Sequence, residues 1–266
     1  MIYLGTLGRM IGIKCPSSQN VSAEERFTFT RTMEGKRKAQ ARQISRRTWS
    51  LQTSRATKPT EHSAVTAFAH GAWGPGPFVF VSAEAPHTNL LSPKWSLCDP
   101  SIPSASSVVG AGPVEVEPGL VMPRSYLNSD DGYVVLIPDK VPVLPGVKVT
   151  GSAYVLGSGM RAQIIFRDTE GALVQSYSSV ASGASGAWQR LSITQSPPAG
   201  AAYVQLSITG DGRSTGPVVT WTDTVQPWSA GNGCPEAVVD GVSSELTRAI
   251  IGTTYSSVSF TVTEVG

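Results

Sequence analysis

Three histidines, one pair of acidic residues, three cysteines and a cluster of basic residues are where chemistry could begin in this 266-residue chain. His62, His70 and His87 form no His-Glu-x-x-His spacing and flank no Gly-x-Ser-x-Gly nucleophile motif. His62 and His70 lie about two helical turns apart, too far to share one metal ion from a straight helix. All three are expected to be exposed or capping groups. Asp168 and Glu170 offer the carboxylate pair of a glycosidase, yet they sit in Asp168-Thr169-Glu170-Gly171, where an aspartate is expected because its side chain bonds to a turn's backbone. Cys15, Cys98 and Cys234 each stand alone, which excludes a disulfide framework and a cysteine-rich zinc site and fits assembly in a reducing compartment. No Walker or dinucleotide-type phosphate loop occurs. The expectation is a chain that is not an enzyme, with no catalytic residues.

Charge is the stronger signal. Residues 1–61 hold 12 Lys/Arg against 4 Asp/Glu, and the remainder holds 9 against 15, so the halves carry +8 and −6. Opposite signs within one chain favour head-to-tail contacts between copies, or an acidic partner for the basic end. The basic excess lies in Lys36-Arg37-Lys38, Arg42, Arg46 and Arg47, and Arg46 and Arg47 are the expected subunit-interface residues, reversible without loss of the fold. No aromatic residues interleave with these charges and no recognition motif accompanies them, so no specific nucleic-acid partner is expected. No run approaches the ~20 apolar residues of a membrane span. Met1–Pro16 is interrupted by glycines and Arg9 and reads as a strand at Ile2–Leu7 rather than as a signal peptide.

The elements that must position these groups are mostly strands. From Val147 to Val155 the odd positions are Val, Val, Gly, Ala and Val and the even ones Lys, Thr, Ser and Tyr, the period-two signature of a half-buried strand. The pattern returns at Ala162–Phe166, at Leu191 and Ile193, at Val204, Leu206 and Ile208, and in a closing strand Val219–Gln226. Turn-forming clusters separate these runs, such as Gly157-Ser158-Gly159 and Gly210-Asp211-Gly212, as in a sandwich or jelly roll. Ser101–Gly112 reads as loop, and Val114–Glu117 and Tyr133–Ile137 as strands. Upstream, Phe27 and Phe29 alternate with threonines, Glu34-Gly35 supplies a turn, and Lys36 to Leu51 continues as one long polar strand. Pro59-Thr60-Glu61 starts a short helix carrying Val65, Phe68 and Ala69 and stopped by Gly71, before the strand Phe78–Val81. Near the C-terminus Ser244–Ile250 suggests a short helical turn, and Val258, Phe260 and Val262 alternate with Ser257, Ser259 and Thr261 in a final strand.

The order Pro145-Gly146, Val-x-Val-x-Gly-x-Ala-x-Val, Ile164-Ile165-Phe166-x-Asp168-x-x-Gly171, Trp188-x-x-Leu191-x-Ile193, Pro198-x-Gly200-Ala201-Ala202-x-Val204-x-Leu206 and Trp221-x-Asp223-x-Val225-Gln226 resembles jelly rolls of the carbohydrate-binding-module type. The resemblance covers about Asn89 to Gln226 and places Trp188 in the core. It also implies that Asp223, on the last strand, matches an aspartate that helps hold a structural calcium, although the usual partner motif near Leu91–Trp95 is missing. No other cofactor is expected. Tyr126, Tyr133, Tyr154 and Tyr203 are the aromatic candidates for glycan contact, and the carbohydrate-binding residues themselves stay unknown at this point.

The strand with Trp49, the helix ending Ala67-Phe68-Ala69-x-Gly71, the loop Trp73-Gly74-Pro75-Gly76-Pro77 and Phe78-x-Phe80 together resemble the N-terminal domain of distal-tail proteins of long-tailed phages. With the jelly roll, the whole resembles a minor tail protein of phages that infect actinobacteria. That resemblance implies a ring of copies, six or alternatively three, at the virion tail tip, assembled in the bacterial host cytoplasm alongside other tail proteins and facing host cell-wall glycan.

The expected fold is all-β. Residues 1–87 with 228–266 form a tail-ring-type β domain with one short helix, and residues 88–227 form an inserted antiparallel jelly roll, because the strand around Phe260 needs a sheet that the sandwich no longer offers. The expected function is a structural tail-tip adaptor. A stand-alone carbohydrate-binding protein or a glycan hydrolase is the alternative.

Overall fold

The computed structural model of the chain describes residues 1–14, 17–24, 27–41, 46–54, 59–99, 108–110, 112–128, 134–184, 186–251 and 253–265. Cys15, Arg42, Tyr133, all of Ser101–Ser107 and Asp130-Asp131-Gly132 therefore lie outside the described residues. The architecture is all-β, with antiparallel sheets and two short α-helices among the described residues. Among the described residues no helix is long and apolar enough to cross a membrane.

In chain order the first elements are β1 (Ile2–Thr6), β2 (Arg9–Ile13), β3 (Ser18–Ala23), β4 (Phe27–Arg31), β5 (Arg37–Ala41), β6 (Arg47–Gln52), helix α1 (Pro59–Ala69) and β7 (Phe78–Val81). Helix α2 (Pro93–Ser96) precedes β8 (Val108–Gly110), β9 (Val114–Glu117), β10 (Leu120–Met122), β11 (Ser125–Asn128), β12 (Val134–Leu136) and β13 (Val141–Pro142). Then follow β14 (Val149–Leu156), β15 (Arg161–Arg167), β16 (Leu173–Ser178), β17 (Gln189–Gln195), β18 (Tyr203–Thr209), β19 (Gly212–Thr220), β20 (Cys234–Ile250) and β21 (Thr253–Glu264). The chain divides into two compact units, one of Met1–Ile2, Ile11–Phe80 and Glu236–Gly266, the other of Tyr3–Met10 and Val81–Pro235.

In the first unit the strands run in the order β7-β20-β21-β6-β3. The alternating apolar residues of β21 and β6 meet on one face, with Phe260 opposite Leu51 and Val262 opposite Trp49, all four buried. Trp49 meets Phe80 edge-on at 5.0 Å between centroids. Helix α1 buries Val65 and Phe68, three residues apart and so on one face. Phe68 stacks on Trp73 at 4.7 Å and meets Phe78 at 5.0 Å, so the Gly/Pro loop after the helix brings its tryptophan back onto it.

Two expectations about this unit are corrected. Lys36 to Leu51 is not one strand: β5 pairs only with β4, whereas β6 pairs with both β3 and β21. The split follows chemistry, since Trp49 and Leu51 give β6 a large apolar side to bury and the Arg37–Ala41 stretch has only the small Ala39 and Ala41. Ser244–Ile250 is strand, not helix. It forms the far part of β20 and is laddered to β21 as far as Ile250 opposite Thr253, because tertiary pairing overrides weak local helical preference.

The second unit is a two-sheet sandwich. One sheet has the order β17-β14-β19-β11-β8, the other β12-β18-β15-β16 with β13 also paired to β18. Val149, Ala153 and Val155 of β14 share the interior with Ala162, Ile164 and Phe166 of β15 and with Val204, Leu206 and Ile208 of β18, all buried. The sheets approach closely at Gly151, where an added Cβ would stand 2.9 Å from Leu206 Cδ1 and 3.2 Å from Ile164 Cγ1. The closing strand is shorter than Val219–Gln226. β19 stops at Thr220, and Thr222 then turns the chain, its Oγ1 accepting from Thr220 Oγ1 at 2.7 Å and donating to the Thr224 carbonyl at 2.7 Å. Part of the expected Ser101–Gly112 loop is also strand, since Val108–Gly110 pairs with β11.

Asn89 ties this unit's entry to its exit. Its Oδ1 accepts from the backbone N–H groups of Leu91 and Val219, each at 3.1 Å, and its Nδ2 donates to the carbonyls of Pro217 and Ser229. One fully buried amide thereby satisfies four backbone groups that no ladder reaches.

Candidate functional site

Strand alternation sends Thr150, Ser152 and Tyr154 to the face of β14 opposite Gly151, away from the second sheet. That outer face is also covered. Val116 of β9, Met122 of β10 and Tyr154 form a small cluster of their own, joined by half-buried Val114, Leu120, Trp188 and Trp228. The β9–β10 hairpin thus roofs one end of the sheet, and two tryptophans from distant parts of the chain close its sides.

Polar groups are built into this roof. Arg190 sits directly opposite Tyr154 in the β14–β17 register, and its guanidinium lies 5.3 Å from the Tyr154 ring centroid. Arg190 Nη2 donates to Ser152 Oγ at 3.1 Å and to the Gln226 carbonyl. On the other side Tyr154 Oη donates to Glu117 Oε1 at 2.9 Å. Burial first, and then this bond to Glu117, push the Tyr154 hydroxyl above its ordinary range, so it stays protonated and acts as a donor. Arg190 Nε and Trp228 Nε1 are buried with no acceptor among the described residues, which leaves the cluster donor-rich. A planar cation held on an aromatic ring, an exposed carboxylate and two half-exposed indoles suit a hydroxyl-rich ligand: the indoles can stack on sugar C–H faces and the charged groups can bond to hydroxyls.

The residues singled out in the sequence fall elsewhere, with one exception. Tyr154 belongs to the cluster but is buried, as are Tyr126 and Tyr203, so none of these three presents an open ring for stacking, while Tyr133 lies outside the described residues. Trp188 is half-buried on the outer cluster and is not part of the interior between the sheets. Asp223 is exposed in the turn after β19, and no group of three His, Cys, Asp or Glu among the described residues is placed to hold a metal ion. His70 and His87 are exposed and His62 is half-buried on α1. Asp168 Oδ1 accepts from the Ala172 N–H at 2.7 Å, a turn bond. Arg46 is exposed, but Arg47 is not a free surface charge, since it is paired with Glu264 within the chain. The expectation that Arg47 can be reversed without harm to the fold is therefore corrected.

Arg190, Glu117 and Trp228 were not singled out by sequence. Arg190 follows Trp188 by two positions, and Glu117 ends a clean Val-Glu-Val-Glu alternation, but only the register across the sheet brings them to one place.

No family profile and no curated protein matches the sequence. Among solved structures, the chain is similar to the enzymatically active domain of tailspike protein 4 of bacteriophage CBA120, at 15% identity and a TM-score of 0.40, covering 52% of this chain and 22% of that one. It is also similar to the CBM22-1–GH10 modules of a Clostridium thermocellum endo-1,4-β-D-xylanase crystallised with xylohexaose, at 17% identity and a TM-score of 0.26, covering 48% of this chain and 27% of that one. The chain thus spans about a quarter of the length of each. The first of these structures is of an enzymatically active domain and the second includes a xylanase module, and the expectation that this chain is not an enzyme is withdrawn.

Proposed function

We propose that the chain is a structural subunit of a phage tail tip that assembles into a ring of copies through its first unit and contacts host cell-surface glycan through its second. The observation that carries the assembly reading is the β20–β21 arm. The far end of β20 is exposed on both faces, with Leu246 64% exposed and Ile250 and Ile251 also open, a waste of apolar surface for a chain acting alone. The tail-tip setting rests on the sequence resemblance at Trp49, Phe68 and Trp73–Phe80, and the copy number, six or alternatively three, is part of the same proposal. So is the glycan, for which the Trp188, Arg190, Glu117 and Trp228 cluster is the contact site. Each contact is weak, and presentation of several copies together supplies the useful strength.

Native mass spectrometry of the full chain, with negative-stain imaging, tests the ring: closed assemblies of defined number are expected, and a monomer at micromolar concentration overturns the reading. Gold-labelled antibody against the chain should mark virions at the tail tip. For the glycan arm, the full chain should be retained on actinobacterial cell walls, and Arg190→Ala and Trp188→Ala should each reduce retention about tenfold. Equal retention of both variants removes the cluster as the contact site.

A further inference from the structure

The first unit contains a second exposed ribbon. β4 and β5 form a two-stranded sheet that pairs with nothing else among the described residues, from Phe27 opposite Ala41 to Arg31 opposite Arg37. A lone two-stranded hairpin is marginal in water. This one carries Arg31, Lys36, Arg37 and Lys38 against the single acid Glu34, and Phe29 is 66% exposed. The ion pair within it, Lys36 to Glu34 at 3.6 Å, joins two side chains that are both about four-fifths exposed and adds little.

β20 has the opposite character. It carries Glu236, Asp240 and Glu245 against the single base Arg248, and the apolar Leu246 and Ile250 are exposed on it. Each ribbon therefore offers extended backbone, exposed apolar side chains and a net charge, and the charges are of opposite sign.

We infer that the β4–β5 hairpin of one copy docks on the outer part of β20, around Asp240 to Ile250, of the next copy. This rests on the proposal that the chain assembles, and it names the interface. The contact is heterologous: a basic ribbon on one side and, on the other, an apolar strand whose two acids outnumber Arg248, so that every copy uses both of its surfaces and the series closes as a ring when the rotation from copy to copy completes a full turn. Phe29 and the apolar residues of β20 supply the buried area, while Lys36, Arg37 and Lys38 face Asp240 and Glu245 and set which surfaces meet. The sequence of this chain holds both halves of the match, which is what selects a second copy over a nucleic acid or an unrelated acidic partner.

The test uses full-length chains and sedimentation velocity. In one variant Lys36, Arg37 and Lys38 are all changed to Glu; in a second, Asp240→Lys is combined with Glu245→Lys. Like charges then face each other, and each variant alone should associate at least ~100-fold more weakly than the unaltered chain. An equimolar mixture of the two should assemble again, because each supplies the surface the other needs, and so should a chain carrying all five changes. Recovery in either arm cannot come from misfolding and supports the inference. Reversals that leave assembly unchanged, or that abolish it with no recovery in mixture or combination, overturn this interface while leaving the ring proposal standing. A monomeric unaltered chain overturns both, and assembly lost on nuclease treatment overturns the inference in favour of nucleic-acid bridging.

Discussion

Arg47 holds Glu264 in a two-pronged pair, Nε to Oε2 and Nη2 to Oε1, each at 2.9 Å, while the Arg47 backbone N–H donates to the same carboxylate at 3.2 Å. Both side chains are nearly buried, and the guanidinium lies 4.9 Å from the Trp49 ring centroid. The pair joins the start of β6 to the end of β21 and so fastens two strands that are 217 residues apart in sequence. Removing one partner strands the other as an uncompensated charge away from water. Arg47→Ala should cost about 3–5 kcal/mol in chemical denaturation, whereas Arg46→Ala, at an exposed neighbour, should stay within about 0.5 kcal/mol. Similar costs for the two would mean that the pair is dispensable.

Asn89→Ala leaves the N–H groups of Leu91 and Val219 and the carbonyls of Pro217 and Ser229 without their side-chain partner. At ~1–3 kcal/mol for each group that finds no replacement, unfolding of the sandwich should shift to distinctly lower denaturant. Asn89→Asp keeps the acceptor and loses the donor, so it should restore only part of the loss. Equal midpoints for both variants would contradict this division.

Gly151→Ala drives a methyl group against Leu206 and Ile164. Overpacking of this kind costs ~1–3 kcal/mol. Leu206→Ala in the same chain opens the space, so the double variant should be less destabilised than the sum of the two singles. Simple additivity would show that the sheets are not in contact there.

Burial pushes the Cys98 thiol up to about 11, and hydrogen bonds from Thr215, the Gly216 backbone and Tyr126 only partly offset it. The folded state therefore keeps its proton at pH values where the unfolded thiol, at about 8.5, has begun to lose it. The stabilising contribution is full below that unfolded value and is lost as pH rises through the folded value of about 11. Native protein at pH 8.5 should react with iodoacetamide far more slowly at Cys98 than denatured protein, and Cys98→Ala should flatten the fall in stability on the alkaline side. Rapid alkylation without denaturant would refute the burial argument.

The all-β class and the interior strands were legible because period two is a local property: Val149 to Val155, Ala162 to Phe166 and Val204 to Ile208 declare their buried side without knowledge of any neighbour. What covers the other side is not local. β14 alternates as if half-exposed, yet Tyr154 is buried because a hairpin 37 residues upstream in the chain folds over it. The same limit hid Arg190 and Glu117, which share a site only through strand register, and it made Ser244–Ile250 look helical, since a strand without its partner in view shows little periodicity. Arg47 looked like one more surface charge because Glu264 lies near the far end of the chain.

The ladder between β20 and β21 slips twice, between Asp240 and Ser243 and between Leu246 and Arg248, and Gly241 takes a positive φ of 59° within the first slip. β20 thus spends extra residues at two points where β21 does not, and each slip bends and twists the ribbon. A straight strand laid along that border would fall out of step within a few residues, so the bare backbone of the arm makes a poor template for endless edge-to-edge addition. The two slips thus disfavour growth of the arm by main-chain pairing, while its exposed side chains stay available for recognition.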